Sequence, residues 1–305
     1  MLHKERVSSL LFMRSAGDMS CLIMLLFCFS FMSACDKNEG EPPVVQQPVI
    51  KLATSATLGT YLADTLGNTL YYFSNDYNGQ NNCAGGCAAL WPVFYAGDNL
   101  TQNELGDGLD IADFGTVTVT GGQKQTTYKS WPLYYYAPAV SGTNVRESPG
   151  ETKGEAVGNI WYVAKPDYSI MLVNAQLVGS DGKSYKSDMT EGTGKTLYFS
   201  DPMGISLYGF SKDSANLNKF TKPDFSNNSV WPIYETNKMV VPSTLDKSLF
   251  ATTGVYGKTQ LTYKGWPLYY FGADSLKRGL NKGISFPAVG VWPIMVKNAP
   301  AAPLP

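Results

Sequence analysis

The chain reads as all-β, built of four tandem antiparallel modules of three to four short strands. Three observations lead there. A six-residue run, Tyr-x-Phe-x-x-Asp, occurs at Tyr71-x-Phe73-x-x-Asp76, Tyr208-x-Phe210-x-x-Asp213 and Tyr269-x-Phe271-x-x-Asp274, and a fourth place, Tyr134-x-Tyr136, keeps the aromatics with Ala139 where the Asp would stand. Each is followed further along the chain by a tryptophan, Trp91, Trp231, Trp292 and Trp161 respectively. The remaining two tryptophans, Trp131 and Trp266, sit in near-identical strings, Lys129-Ser-Trp-Pro-Leu-Tyr-Tyr-Tyr136 and Lys264-Gly-Trp-Pro-Leu-Tyr-Tyr-Phe271. Internal repetition of this kind sets the architecture before local propensities do. Glycine is abundant (30 residues) and aromatics reach 13%, as suits strands joined by tight turns.

The elements follow from period and punctuation. In the second module, residues 116–120 alternate with period two, Gly121-Gly122 is a hairpin turn, 123–129 run back, and 131–136 and 158–163 complete the set. The fourth module repeats this over 249–255, 259–264, 266–271 and 289–296, with its turn near Gly257. The first and third modules offer 59–65 with 69–74, and 196–200 with 206–211, split by turns carrying Gly67 and Gly204. No amphipathic helix of normal length stands out. Four such modules suit a propeller-like arrangement, since radial repetition removes long exposed sheet edges; the alternative is two linked β-sandwich domains.

The ends of the chain have other uses. Lys4, Arg6 and Arg14 lead an apolar run, 21–32, too short to span a bilayer and suited to a signal-peptide core. It ends in Met32-Ser33-Ala34-Cys35, which resembles a bacterial lipoprotein signal with Cys35 as the acylated first residue; Met13 is an alternative start. The expected division is a signal over 1–34, a lipidated Cys35 with a polar, Pro-rich tether over 35–49, repeat pairs over 50–167 and 168–297, and a disordered tail over 298–305.

Composition removes several function classes. The leader carries three of the 24 basic and two of the 25 acidic side chains, and beyond it the only arginines are Arg146 and Arg278. No basic cluster exists to displace counterions from phosphates, so nucleic acid is not an expected partner. The only histidine, His3, lies in the leader, which excludes Ser-His-Asp and Cys-His nucleophile systems and most zinc-enzyme constellations from the rest. Hydrolysis by two carboxylates would need a pair that nothing in the pattern nominates.

For the motif residues the structural reading comes first. On a strand, residues two apart share a face, so Tyr71 with Phe73, Tyr208 with Phe210 and Tyr269 with Phe271 fill a core, while Asp76, Asp213 and Asp274 accept backbone N–H groups in the following turn. The functional alternative is that the aspartates line one cation or ligand site, against which Ala139 argues. Cys83 and Cys87, in Asn81-Asn-Cys83-Ala-Gly-Gly-Cys87-Ala-Ala-Leu-Trp-Pro92, read as a disulfide in an oxidising compartment. The rival reading is a redox or copper site, copper being favoured by thiolates with a nearby Met.

Signal, tether, Leu70-Tyr-Tyr-Phe-Ser-Asn-Asp76, the Cys83–Cys87 string and the twice-used Trp-Pro-Leu-Tyr together resemble the predicted bacterial lipoproteins with a Tyr-x-(Phe/Trp/Tyr)-x-x-Asp motif, also called the secreted repeat of unknown function. The resemblance spans about Thr54 to Val296 and departs at Ala139 and in the third module, which lacks the cysteines. It implies a lipid-anchored envelope protein of tandem repeats, facing periplasm or exterior, and no established activity. The expected function is therefore a non-catalytic binding or scaffold module, with a glycan or envelope protein as partner if aromatics are exposed; the alternative is redox or copper handling at Cys83 and Cys87.

Overall fold

Two hairpins and a pair of crossed motif strands, written twice, account for most of the chain. The structure is a computed structural model that describes residues 48–305. The signal, Cys35 and nearly all of the tether lie outside the described residues. In the first half, β1 (Ile50–Ser55) pairs antiparallel with β2 (Gly59–Asp64), and a turn leads into β3 (Tyr71–Phe73). The helix α1 (Gly86–Leu90) is the only α-helix among the described residues, and none is long and apolar enough to cross a membrane. The second hairpin, β4 (Phe114–Thr118) with β5 (Lys124–Tyr128), carries β6 (Trp131–Pro132) on its edge. Its turn falls at Gly121 and Gly122, both at positive φ, where glycine carries no Cβ penalty. A small hairpin, β7 (Ala139–Val140) with β8 (Thr143–Asn144), precedes β9 (Trp161–Val163), which returns to pair with β3.

The second half follows the same course. β10 (Met171–Val178) pairs with the short β11 (Ser184–Tyr185) and with β12 (Lys195–Ser200), and β13 (Phe250–Val255), β14 (Lys258–Tyr263) and β15 (Trp266–Pro267) form the last sheet. β10 is the longest strand, and its sequence explains why period two does not announce it. Met171, Leu172 and Val173 are consecutive and all buried, in a cluster that also takes in Tyr72, Trp131 and Tyr162 of the first half, so the strand is covered on both faces.

The all-β expectation holds, in several small antiparallel sheets of two or three strands, none closed into a barrel among the described residues. Single bridges extend the motif strands into a central ladder in each half. Tyr71 bridges Tyr134, which bridges Val93, while β9 lies on the other side of β3; in the second half the order is Ile294, Tyr208, Tyr269, Ile233. The modules thus interlock in twos, and the described residues, 48–305, cohere as one unit. One apolar cluster contains Tyr72, Trp131 and Tyr162 of the first half beside Leu172, Tyr208 and Trp231 of the second. Arg278 fastens the halves further: its Nε donates to Tyr77 O at 3.1 Å, its guanidinium lies 4.3 Å over the Trp131 ring, and it also donates to Ser130 O.

The tail, expected to be disordered, is docked. Trp266 Nε1 donates to Pro300 O at 2.8 Å, Lys264 Nζ to Ala299 O at 2.9 Å and Ala302 N to Lys264 O at 2.9 Å, and Ala302 is buried. The physical reason lies in the repeat. Trp131, the counterpart of Trp266, donates its indole N–H at 3.0 Å to Pro202 O of the second half, and for Trp266 the tail's own proline carbonyl takes that place.

Candidate functional site

The motif residues meet in pairs of modules, and they meet crosswise. Tyr71 and Tyr134 exchange backbone hydrogen bonds, N to O at 2.9 and 3.0 Å, as do Tyr208 and Tyr269 at 2.9 Å each. From that crossing each phenol points past its own module into the acid of the other. Tyr134 donates to Asp76 at 2.6 Å, Tyr269 to Asp213 at 2.7 Å and Tyr208 to Asp274 at 2.5 Å. The fourth phenol, Tyr71, donates to Glu147 at 2.5 Å. Glu147 thus supplies what Ala139 does not, from eight residues further along the chain, past the β7–β8 hairpin. Each acid's other oxygen accepts a backbone N–H from the loop that follows it: Asn82 N at 2.7 Å on Asp76, Lys219 N at 2.7 Å on Asp213, Lys282 N at 3.0 Å on Asp274 and Lys153 N at 2.7 Å on Glu147.

Burial sets the electrostatics. Desolvation pushes the Asp76 carboxyl up to about 7 and that of Asp213 up to about 6, against the pull of their hydrogen-bond donors. Asp274 and Glu147 shift upward for the same first cause. The four phenols are pushed far above their ordinary value, by burial first and by the neighbouring carboxylate second. No proton leaves these phenols near neutrality, so each donates to its acid; the Tyr71 hydroxyl also accepts from Gly154 N at 3.2 Å.

Beside the crossing lies a column of rings. In the first half Phe73 stacks on Trp161 at 3.9 Å, Trp161 on Trp91 at 3.8 Å with planes 3° apart, and Tyr136 follows at 4.6 Å. In the second half Phe210 lies 4.3 Å from Trp292, Trp292 3.8 Å from Trp231 at 9°, and Phe271 follows at 4.4 Å. The motif tyrosines meet the tryptophans in T-shaped contacts at 5.0 to 5.4 Å, the geometry favoured by the ring quadrupole. Trp91, Trp131, Trp161, Trp231 and Trp292 are buried, and Trp266 is half-buried under the tail.

Two glycines make room for this. A Cβ on Gly283 would stand 2.7 Å from Trp231 Cη2 and 2.9 Å from Tyr208 Cε1, and one on Gly154 2.8 Å from Tyr71 Cζ. These rings are locked by their neighbours and have nowhere to go, so Gly283→Ala and Gly154→Ala are each expected to destabilise the fold by about 1–3 kcal/mol. Gly254→Ala, where a Cβ meets nothing within 4 Å, is the neutral control, and urea unfolding of the three variants is the measurement. Equal midpoints in all three would show the glycines to be dispensable.

Cys83 and Cys87 are joined in a disulfide with Cα atoms 5.3 Å apart. Cys83 is buried in a cluster with Trp91 and Trp161 that contains no methionine. The repeat gives the pair a meaning. Asn81 and Asn218 each donate to a buried glutamine, Gln125 at 2.7 Å and Gln260 at 2.8 Å, so that Cys83 corresponds to Phe220, whose ring packs edge-on to Trp292 at 4.8 Å. The disulfide stands where the second half has an aromatic. No group of three or more His, Cys, Asp or Glu side chains suited to a metal occurs among the described residues.

Motif reasoning missed three acids. Glu147 carried no local signal. Asp64 and Asp201 did, since Asp64-x-x-Gly67 and Asp201-x-x-Gly204 are the same turn. Each closes that turn by accepting backbone N–H groups and a tyrosine hydroxyl, Tyr135 and Tyr270 respectively, at 2.9 Å.

Residues 53–95 and 251–295 match the family model described as a secreted repeat of unknown function. The family model thus matches twice. The matches run from β1 through Trp91 and from β13 through Trp292, one in each half of the fold. No curated protein and no solved structure matches the chain.

Proposed function

We propose that this secreted-repeat protein is a lipid-anchored, non-catalytic module of the cell envelope, holding a binding surface near the membrane on the tether 35–49. The observation that supports it is the use made of the motif. Four phenols, four carboxylates and two ring columns are spent on each other inside the core, so the repeated residues supply a frame rather than reactive groups. Binding then falls to what is not repeated. Glycan recognition through a row of exposed tryptophans draws no support from five buried ones. Redox or copper chemistry at Cys83 and Cys87 draws none from a joined pair packed against indoles.

The anchor is tested by Cys35→Ser in the native cell, fed an alkyne fatty acid. Loss of label and release from the membrane fraction are the expected results. A variant that keeps both its label and its membrane association would refute the anchor.

A further inference from the structure

In a duplicated fold, a buried charge whose counterpart is apolar is not there for the frame. Lys165 is such a residue. Pairing of Val163 with Tyr71, and of Ile294 with Tyr208, aligns Lys165 with Val296 of the second half. Lys165 is only 8% exposed, yet it makes no hydrogen bond and no ion pair among the described residues; its nearest polar-face contact is the Tyr168 ring, 5.3 Å from Nζ. The stem is buried while the ammonium reaches the surface with no hydrogen-bond partner, and such groups concentrate where a ligand completes them.

What Lys165 lines is a cleft of about 350 Å³ between the two halves, within the range of small-molecule sites. Three segments build it: the β1–β2 turn with Leu58, the stretch after β9 with Lys165 and Asp167, and the loop 239–247 of the second half. Lys247 lies on the same cleft, close enough that its charge disfavours that of Lys165. The charged groups facing Lys165 are Glu155, Asp167 and Lys247; Glu155 lies off the cleft wall, with one carboxyl oxygen accepting from Val163 N at 2.7 Å. The cleft wall itself carries two amines, Lys165 and Lys247, and one acid, Asp167. Leu58, Val241 and Leu245 give the remaining wall an apolar character.

We propose that this cleft binds a small organic carboxylate, its head between the ammonium groups of Lys165 and Lys247 and its apolar part against Leu58, Val241 and Leu245. This rests on the reading of the chain as a binding module and names the class of ligand. A charge-assisted hydrogen bond to a desolvated carboxylate is among the stronger polar contacts available.

The test is calorimetric titration of the full chain, in non-ionic detergent, with sodium hexanoate, hexanol and inorganic phosphate. Saturable one-to-one binding of hexanoate is expected, with hexanol and phosphate weaker by about tenfold or more, because each lacks one half of the recognition. Lys165→Met is expected to weaken hexanoate by about tenfold or more and Lys247→Met by less. Because Val296 fills the counterpart position, Lys165→Met is also expected to unfold at a temperature no lower than the parent, which separates lost binding from lost folding. Three results would overturn the proposal: no hexanoate binding by the parent chain, undiminished binding by a folded Lys165→Met, or phosphate binding as tight as hexanoate. None of these touches the fate of the Cys35→Ser label, so the anchor and the ligand stand or fall separately.

Discussion

Trp231→Ala is expected to remove about 3–5 kcal/mol of stability, a large share of the roughly 5–15 kcal/mol that holds an ordinary domain together. Trp231 is 1% exposed and touches the core on every side. Trp292 stacks on one face at 3.8 Å, Phe271 lies at 4.4 Å on the other, and the Tyr208 ring meets it edge-on at 5.4 Å. Collapse cannot fill the space. Its neighbours are themselves held, Tyr208 by Asp274 and Phe271 by the backbone bond from Gly272 N to Val230 O at 2.8 Å. The cost therefore contains the lost transfer of the indole from water and an uncollapsed cavity together. The measurement is urea unfolding followed by near-ultraviolet circular dichroism, which reports the stacked indoles. The shared cluster joining Tyr72, Trp131 and Tyr162 to the second half predicts one lowered transition with an unchanged slope on urea. A shift of less than about 1 kcal/mol would mean the column is not a unit of stability.

The same column shows how far the sequence could be followed. Tyr71 and Phe73 lie two apart on a strand, so a common buried environment was legible, as were the hairpin turns at Gly121-Gly122 and Gly257. The aspartates as acceptors of turn N–H groups were legible too, and Asn82 on Asp76 bears that out. What no local pattern carries is the crossing. Tyr134 reaches Asp76 across 58 residues and Tyr71 reaches Glu147 across 76, because the two motif strands pair antiparallel and each side chain passes into the neighbouring module. Glu147 shows the difference most plainly. The requirement at that point is an acceptor in space, and the β7–β8 hairpin delivers it from a different place in the sequence than Asp274 occupies. Ala139 marks a moved carboxylate and not a missing one. The docked tail escaped for a related reason. Its prolines and alanines have no periodicity, and only the existence of Trp131 against Pro202 reveals what Pro300 replaces.

Duplication also separates frame from function. Asp64 with Asp201, Gln125 with Gln260, Gly154 with Gly283 and the paired tryptophans occur twice in the same contacts, so each is explained by folding alone. Unpaired features are fewer. Arg278 is one, and its use is visible in the bonds it makes to Tyr77 and Ser130 across the halves. The Cys83–Cys87 bridge is another, and its counterpart Phe220 shows it filling core volume while closing a loop so short that little unfolded-state entropy is removed. Lys165 is left, with burial but no bond.

The buried carboxyls make stability depend on pH in an unusual direction. In an unfolded chain Asp76 and Asp213 titrate near 3.9, while in the fold burial holds them at about 7 and about 6. The folded state therefore binds more protons than the unfolded state between those values, and stability falls as pH rises through that window. The stabilising contribution is complete below about pH 4 and gone above about pH 7. At roughly 1.4 kcal/mol per pH decade, Asp76 loses about 4 and Asp213 about 3 kcal/mol across it. Asp201, Asp274, Glu147 and Glu155 shift upward for the same cause and add to the slope. The lowered acids, Asp98, Glu151, Asp181, Asp188, Asp224 and Asp246, lie at the surface, and their opposing effect is confined to the region below about pH 4. The urea midpoint is thus expected to be highest near pH 4–5 and to decline towards pH 8. Asp76→Asn with Asp213→Asn is the discriminating variant. Each amide keeps one oxygen for the N–H of Asn82 or Lys219 and carries no charge to desolvate, so the decline should become shallower while stability at pH 8 is retained. A parent chain whose midpoint rises from pH 4.5 to pH 8 would show that these four crossed pairs are held as carboxylates, and that the phenols stabilise charge at the centre of each half.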